Sequence, residues 1–150
     1  PNVFIKDVTG STMDKVEGII KGYRPDIVVL DIGDKFADKS SERSDIYLKD
    51  AAIHARNIAK QYNCAIIYMS QLSASAQNVV NVDMSMLEGS KKGKAAETDL
   101  MILISMNRVD NDTDEKDPER HLIIAKNKLK GGWHGRITVE LDGDTARYSA

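Results

Sequence analysis

Two aliphatic runs, each closed by polar residues and separated by one helix-length segment, constrain this chain most: "DIVVLD" at 26–31 and "AIIYMSQ" at 65–71. A strand without polar alternation reads as one covered on both faces, as in a parallel sheet. Between them, Ile46, Leu48, Ala51, Ala55, Ile58 and Ala59 recur at helical spacing, which predicts a helix from about Ser44 to Tyr62. An earlier helix carries Met13, Val16, Ile19 and Ile20, with Ser11 offering a cap oxygen, Asp14 three residues on, and Pro25 breaking it. "LMILISM" reads as a third buried strand, while "HLIIA", "RITVEL" and a short "ARY" read as strands without intervening helices. The expected fold is α/β: an open, mostly parallel sheet with an antiparallel C-terminal edge and helices on both faces. Two connections stand out. Residues 73–86 lack a period and read as a long loop of the kind that carries function, and the acidic stretch 110–119 reads as a solvated connection.

At 150 residues the chain is expected to be one domain with a sizeable core. A net charge of −2 argues against a generally basic coat for nucleic acid, so any polyanion contact must come from local clusters. Cys64 is the single cysteine and precedes an apolar run, so burial as a small hydrophobe in a reducing compartment is expected. No apolar run approaches membrane-spanning length and no signal peptide heads the sequence, so the expectation is a soluble, cytoplasmic protein with no membrane partner. His54 falls inside a helix and His121 at a strand start, both structural readings. Three scattered histidines and one cysteine give no metal-site spacing.

In open α/β sheets, ligands gather beyond the carboxyl ends of the strands. Asp31 stands there after four aliphatic residues, the form of a carboxylate that holds Mg²⁺ through its water shell beside nucleotide phosphates, although many such residues only cap the next turn. Asp34 could support a metal-bound water, with turn capping as the plainer role. Gln71 could hydrogen-bond a γ-phosphate or the attacking water, or simply serve as a polar turn residue. Lys126 and Lys128 are two apart, so on an extended strand both project to one face. Alternating lysines can solvate a sheet edge, yet every fully charged residue from Arg120 to Arg136 is positive, which favours a surface meeting phosphate. Trp133, among glycines in this basic hairpin, reads as packing, with base stacking as the functional alternative.

"MLEGSKKGKAAETD" at 86–99 imitates a phosphate-binding loop without satisfying one. Three residues rather than four separate Gly89 from Gly93, and Ala95 stands where the Mg²⁺-binding hydroxyl belongs. The remaining readings are a solvated basic loop or a loop that grips polyanions.

"PDIVVLD", "AIIYMSQLSASA", "MLEGSKKGKAAETDLMILI" and "HLIIAKNKLKGG", in this order and spacing, together resemble the C-terminal RecA-like motor domain of DnaB-type hexameric replicative DNA helicases, especially phage-encoded members. The resemblance covers nearly the whole chain, with "SQL" and "IIAKNK" its most specific pieces. It implies ATP and Mg²⁺ as cofactors, Asp31 as the Walker B carboxylate and Gln71 as the γ-phosphate sensor. Lys126 and Lys128 match the family's late basic pair, which reaches a neighbouring subunit's nucleotide. Lys91, Lys92 and Lys94 fall in its channel-loop region and would face single-stranded DNA, a sequence-independent and salt-sensitive contact. The implied partners are single-stranded DNA and further copies of the chain in a hexameric ring, and the implied setting is a bacterial or phage-infected cell.

Three departures accompany the resemblance. The family's phosphate loop and catalytic glutamate lie upstream of the Walker B strand, and no stretch here supplies them. The chain begins at Pro1 and enters Val3, Phe4 and Ile5 almost at once. Residues 1–150 are therefore expected to be the second half of a motor, the other half being upstream in the same original chain or a separate polypeptide docking on Val3 to Ile5 and the first helix. Lys128 stands where many relatives carry Arg, which removes the planar fork, and Lys126 or Lys130 could share its task. "DIGD" also differs from the family pattern. A RecA/RadA-like recombinase ATPase and a non-hydrolysing single-stranded-DNA-binding or assembly module are the alternatives.

Overall fold

Thr12 precedes the first helix, α1 (Met13–Tyr23), as its N-cap, with no side-chain cap hydrogen bond. Ser11, the expected cap, is instead buried, its hydroxyl the one buried side-chain polar atom without a partner among the described residues. The computed structural model describes residues 2–37, 43–89, 91–107 and 117–150, with the side chain of Lys91 left aside. Most of the acidic stretch 110–119 lies outside these residues.

The chain divides into two compact units, residues 1–71 and 72–150. In the first, α1 ends where Arg24 adopts a left-handed conformation (φ 46°), because the residue before Pro25 is sterically excluded from continuing a helix. β1 (Ile27–Leu30) follows, then a short 3₁₀ turn (Gly33–Phe36), α2 (Ser44–Tyr62) and β2 (Ala65–Tyr68). α2 spans the segment expected from its apolar period. β1 and β2 pair in parallel, with Ile27 opposite Ala65 and Leu30 opposite Tyr68. Met13, Val16 and Ile20 of α1, Leu48, Ala51, Ala55 and Ile58 of α2, and Leu30, Phe36 and Cys64 form one core. Burial pushes the Cys64 thiol above its ordinary pKa.

In the second unit, short 3₁₀ turns at Ala74–Ala76 and Met84–Met86 interrupt the long connection. α3 (Lys91–Glu97) then leads into β3 (Leu100–Met106), β4 (Glu119–Asn127), β5 (Gly135–Asp142) and β6 (Arg147–Ser149). These four strands form one antiparallel sheet in chain order. Val82, Leu87, Met101 and Leu103 are the buried centre of a smaller core.

Two features differ from the sequence expectation. Parallel and antiparallel strands sit in separate hydrogen-bonded sheets among the described residues rather than in one. The aliphatic strands are also covered on one face only. Ile27, Val29 and Ile67 are 53–62% exposed, and β3 alternates, with Met101, Leu103 and Ser105 buried but Leu100, Ile102 and Ile104 exposed. Continuous apolarity signals that both faces tolerate burial, and it cannot say which neighbour supplies the second cover.

Candidate functional site

The register Leu30 opposite Tyr68 brings Asp31 and the 69–71 segment to the same, carboxyl end of the parallel pair. Backbone bonds continue that alignment past the strands: Met69 N–H donates to Leu30 O (3.1 Å) and Gly33 N–H to Met69 O (2.8 Å). The Asp31–Ile32 peptide is cis. Asp31 and Gln71 are both exposed, and neither side chain has a hydrogen-bond or ion-pair partner among the described residues. Each is available to an external ligand.

Asp34 is committed differently. Its half-buried carboxylate accepts from Tyr68 Oη (3.1 Å) and Ser70 Oγ (2.7 Å), so it ties the turn after β1 to the end of β2. Burial first, and then the Asp34 charge, raise the Tyr68 phenol far above its ordinary pKa, which keeps it a hydrogen-bond donor. The Tyr68 ring also lies against Gly33, where an added Cβ would sit 2.6 Å from ring carbons. Only glycine leaves room there. Turn capping is the plainer expectation for Asp34, whereas these bonds run to side-chain hydroxyls at the end of β2. The part played by Tyr68 is not visible in the sequence, because nothing there tells which strand-end aromatic faces a turn 34 residues away.

The lysines are not equivalent. The segment expected to be an open loop with three outward lysines forms the short helix α3. Lys94 is only 3% exposed and donates from Nζ to Glu88 O (2.8 Å), so this ammonium does not face solvent. Two alanines following Lys94 carry the local helical preference that competes with the flanking glycines. Lys92 is exposed, and the side chain of Lys91 lies outside the described residues.

The strand whose one face Lys126 and Lys128 were expected to share stops between them. A bulge beside Met101/Ile102 shifts the β3–β4 register at Ala125, and β4 ends at Asn127, before Lys128. The bulge precedes both lysines, so the end of the strand, not the bulge, separates them. Lys126 is half-buried and donates from Nζ to Ala95 O, whereas Lys128 is exposed, with its backbone N–H held by Asp99 O (2.8 Å). Asn127 organises the turn that follows, accepting from Leu129 N–H and donating to Trp133 O. Trp133 is half exposed, its ring over Gly135, where a Cβ would meet it at 2.4 Å.

No protein-family model matches the chain. No curated protein matches it either. Solved structures do. A DnaB-like replicative helicase, described with its interactions with primase, superposes with a TM-score of 0.77 at 17% identity, covering 98% of this chain and 37% of that one. A second solved structure, described as an ATPase domain, superposes with a TM-score of 0.73 at 16% identity, covering 92% of this chain and 51% of that one. The chain therefore has the RecA-like α/β fold of DnaB-type helicase motor domains. It spans between about a third and a half of the length of these two structures.

Proposed function

We propose that this chain is the Walker B-onward part of the ATP-dependent motor of a hexameric replicative DNA helicase, which moves on single-stranded DNA and unwinds duplex. One observation carries the reading. Asp31 and Gln71 stand at the same end of adjacent parallel strands, both without side-chain partners among the described residues, in a chain that superposes over 98% of its length on a DnaB-like replicative helicase.

An exposed carboxylate with no competing partner fits the second-sphere hold on Mg²⁺ that Asp31 would provide. The ion would neutralise phosphate charge when bound. Gln71 can offer its amide N–H to a γ-phosphate oxygen from the same sheet end. Lys128, exposed on the β4–β5 turn, is the better placed of the late basic pair to reach a phosphate of a neighbouring subunit in a closed ring. Lys126 must first leave the Ala95 carbonyl. Contact with the DNA backbone falls to Lys92 and Lys91, since Lys94 is buried.

The sequence supplies no loop of glycines and lysine to cradle the phosphates, so turnover requires a second segment carrying it. A second reading is a non-hydrolysing module that binds single-stranded DNA or joins an assembly.

ATPase assays separate the two. The chain is measured alone and joined to the coding segment upstream of Pro1, each with and without single-stranded DNA. The motor reading expects DNA-stimulated turnover in the extended form only, reduced by Asp31→Ala on the order of a hundredfold or more. No turnover in either form leaves the module reading.

A further inference from the structure

Asp14 and Glu17 lie three residues apart on α1 and so share one helix face. α2 packs His54 against that face. Its Nε2 lies 3.1 Å from Glu17 Oε2 and 3.8 Å from Asp14 Oδ1, and the three ligand-type atoms all fall within 4.8 Å of one another. We propose that Asp14, Glu17 and His54 form a binding site for a divalent transition-metal ion of the zinc class, bridging α1 and α2.

The His54–Glu17 spacing is close to what such an ion needs, while exposed Asp14, 3.8 Å from His54, must draw closer. Two ligands each about 2.0–2.1 Å from a tetrahedral metal are themselves about 3.3 Å apart, so the His54–Glu17 separation requires only a small adjustment. The donor set of one imidazole nitrogen and two carboxylates suits Zn²⁺, Co²⁺ or Ni²⁺ better than Mg²⁺ or Ca²⁺, which favour oxygen alone. The two carboxylates also match a dication in charge.

The carboxylate is oriented from behind. Glu17 Oε1 accepts from Tyr62 Oη (3.0 Å) and Gln61 Nε2 (3.3 Å), both from the C-terminal end of α2, which leaves Oε2 directed at His54. Outer partners of this kind fix the orientation of metal-ligating side chains. Asp14 is exposed, so water can reach the ion and complete its coordination. The sequence could not disclose the site, because His54 and Glu17 are 37 residues apart and meet only through helix packing.

Titration of Zn²⁺, and of Co²⁺ as a visible probe, into chelator-treated protein tests the proposal by calorimetry and absorbance. The expected result is one saturable equivalent with tetrahedral-type cobalt bands and a raised melting temperature. His54→Gln and Asp14→Asn should each weaken binding at least about tenfold, and Tyr62→Phe should weaken it by about tenfold through loss of carboxylate orientation. Asp14 is exposed, so its variant serves if His54→Gln does not fold. The absence of saturable binding overturns the proposal. So does binding undiminished in both His54→Gln and Asp14→Asn, which would place the ion elsewhere. The readout involves neither nucleotide nor DNA, so it stands or falls separately from the motor assignment.

Discussion

Unit 1–71 and unit 72–150 bury apolar surface by different means. The first sets two helices against a parallel pair, and its core draws on both helices, both flanking segments and the lone cysteine. The second is a four-stranded meander whose buried centre is four side chains, with His121 enclosed separately by polar partners. His121 is 2% exposed, its Nε2 2.9 Å from Asn107 Oδ1 and its Nδ1 3.3 Å from Thr138 Oγ1. The difference extends to the candidate ligand groups. At the parallel strand ends Asp31 and Gln71 are available, whereas in the second unit two of the singled-out lysines, Lys94 on α3 and Lys126 on β4, are engaged by backbone carbonyls. Parallel pairing gathers strand ends beside one another by topology, so reactive groups collect there without further support. A meander has no such common end, and its charges must be positioned one at a time.

The comparison breaks most visibly in the core. Ile58 is 1% exposed in the first unit, and Ile58→Ala should cost about 2–5 kcal/mol. Segment-resolved amide exchange should show the loss in α2 while β4 and β5 change far less. Equal acceleration in both would mean that the two units do not open separately.

A finer contrast uses two glycines that each face an aromatic ring. Gly33 lies against Tyr68, whose hydroxyl is fixed by Asp34, and Gly33→Ala should cost about 1–3 kcal/mol by overpacking. Gly135 faces Trp133, a half-exposed ring able to swing into solvent, so Gly135→Ala should stay within about 1 kcal/mol. Urea unfolding of the two variants compares them directly. A larger loss at Gly135 would show that the Trp133 ring is held.

The smallest effect is in pH. The carboxyl of Glu17 titrates lower in the folded chain than its ordinary value of 4.5. Its contribution is complete above that value and is lost as pH falls through the folded pKa, because the unfolded chain takes up the proton first. Glu17→Gln in chelator-treated protein should therefore flatten the stability profile below about pH 4.5. A profile identical to the parent's would exclude the His54 and Tyr62 bonds as the source of the shift.

Much of the architecture was legible because its signals are local. The period of Ile46 through Ala59 located α2, and the unbroken aliphatic runs located β1, β2 and β3. Proline at position 25 marked where α1 stops. The remainder depended on partners distant in sequence. Nothing around Lys94 announces that a carbonyl six residues earlier will hold it. Alternation alone could not place Lys128, because β4 ends one residue before it. The candidate site divides similarly: Asp31 and Gln71 were marked by the apolar runs they follow, while the Asp34–Tyr68–Ser70 bonds required the fold.

Cys64 gives the first unit a chemical clock. It sits between the left-handed cap at Asn63 and the first residue of β2, buried and with its thiol raised above the ordinary pKa, so alkylating reagents must wait for this region to open. No other residue of the chain carries a thiol. The rate at which the protein takes up such a reagent thus records the breathing of the helix-covered parallel pair and is silent about the meander.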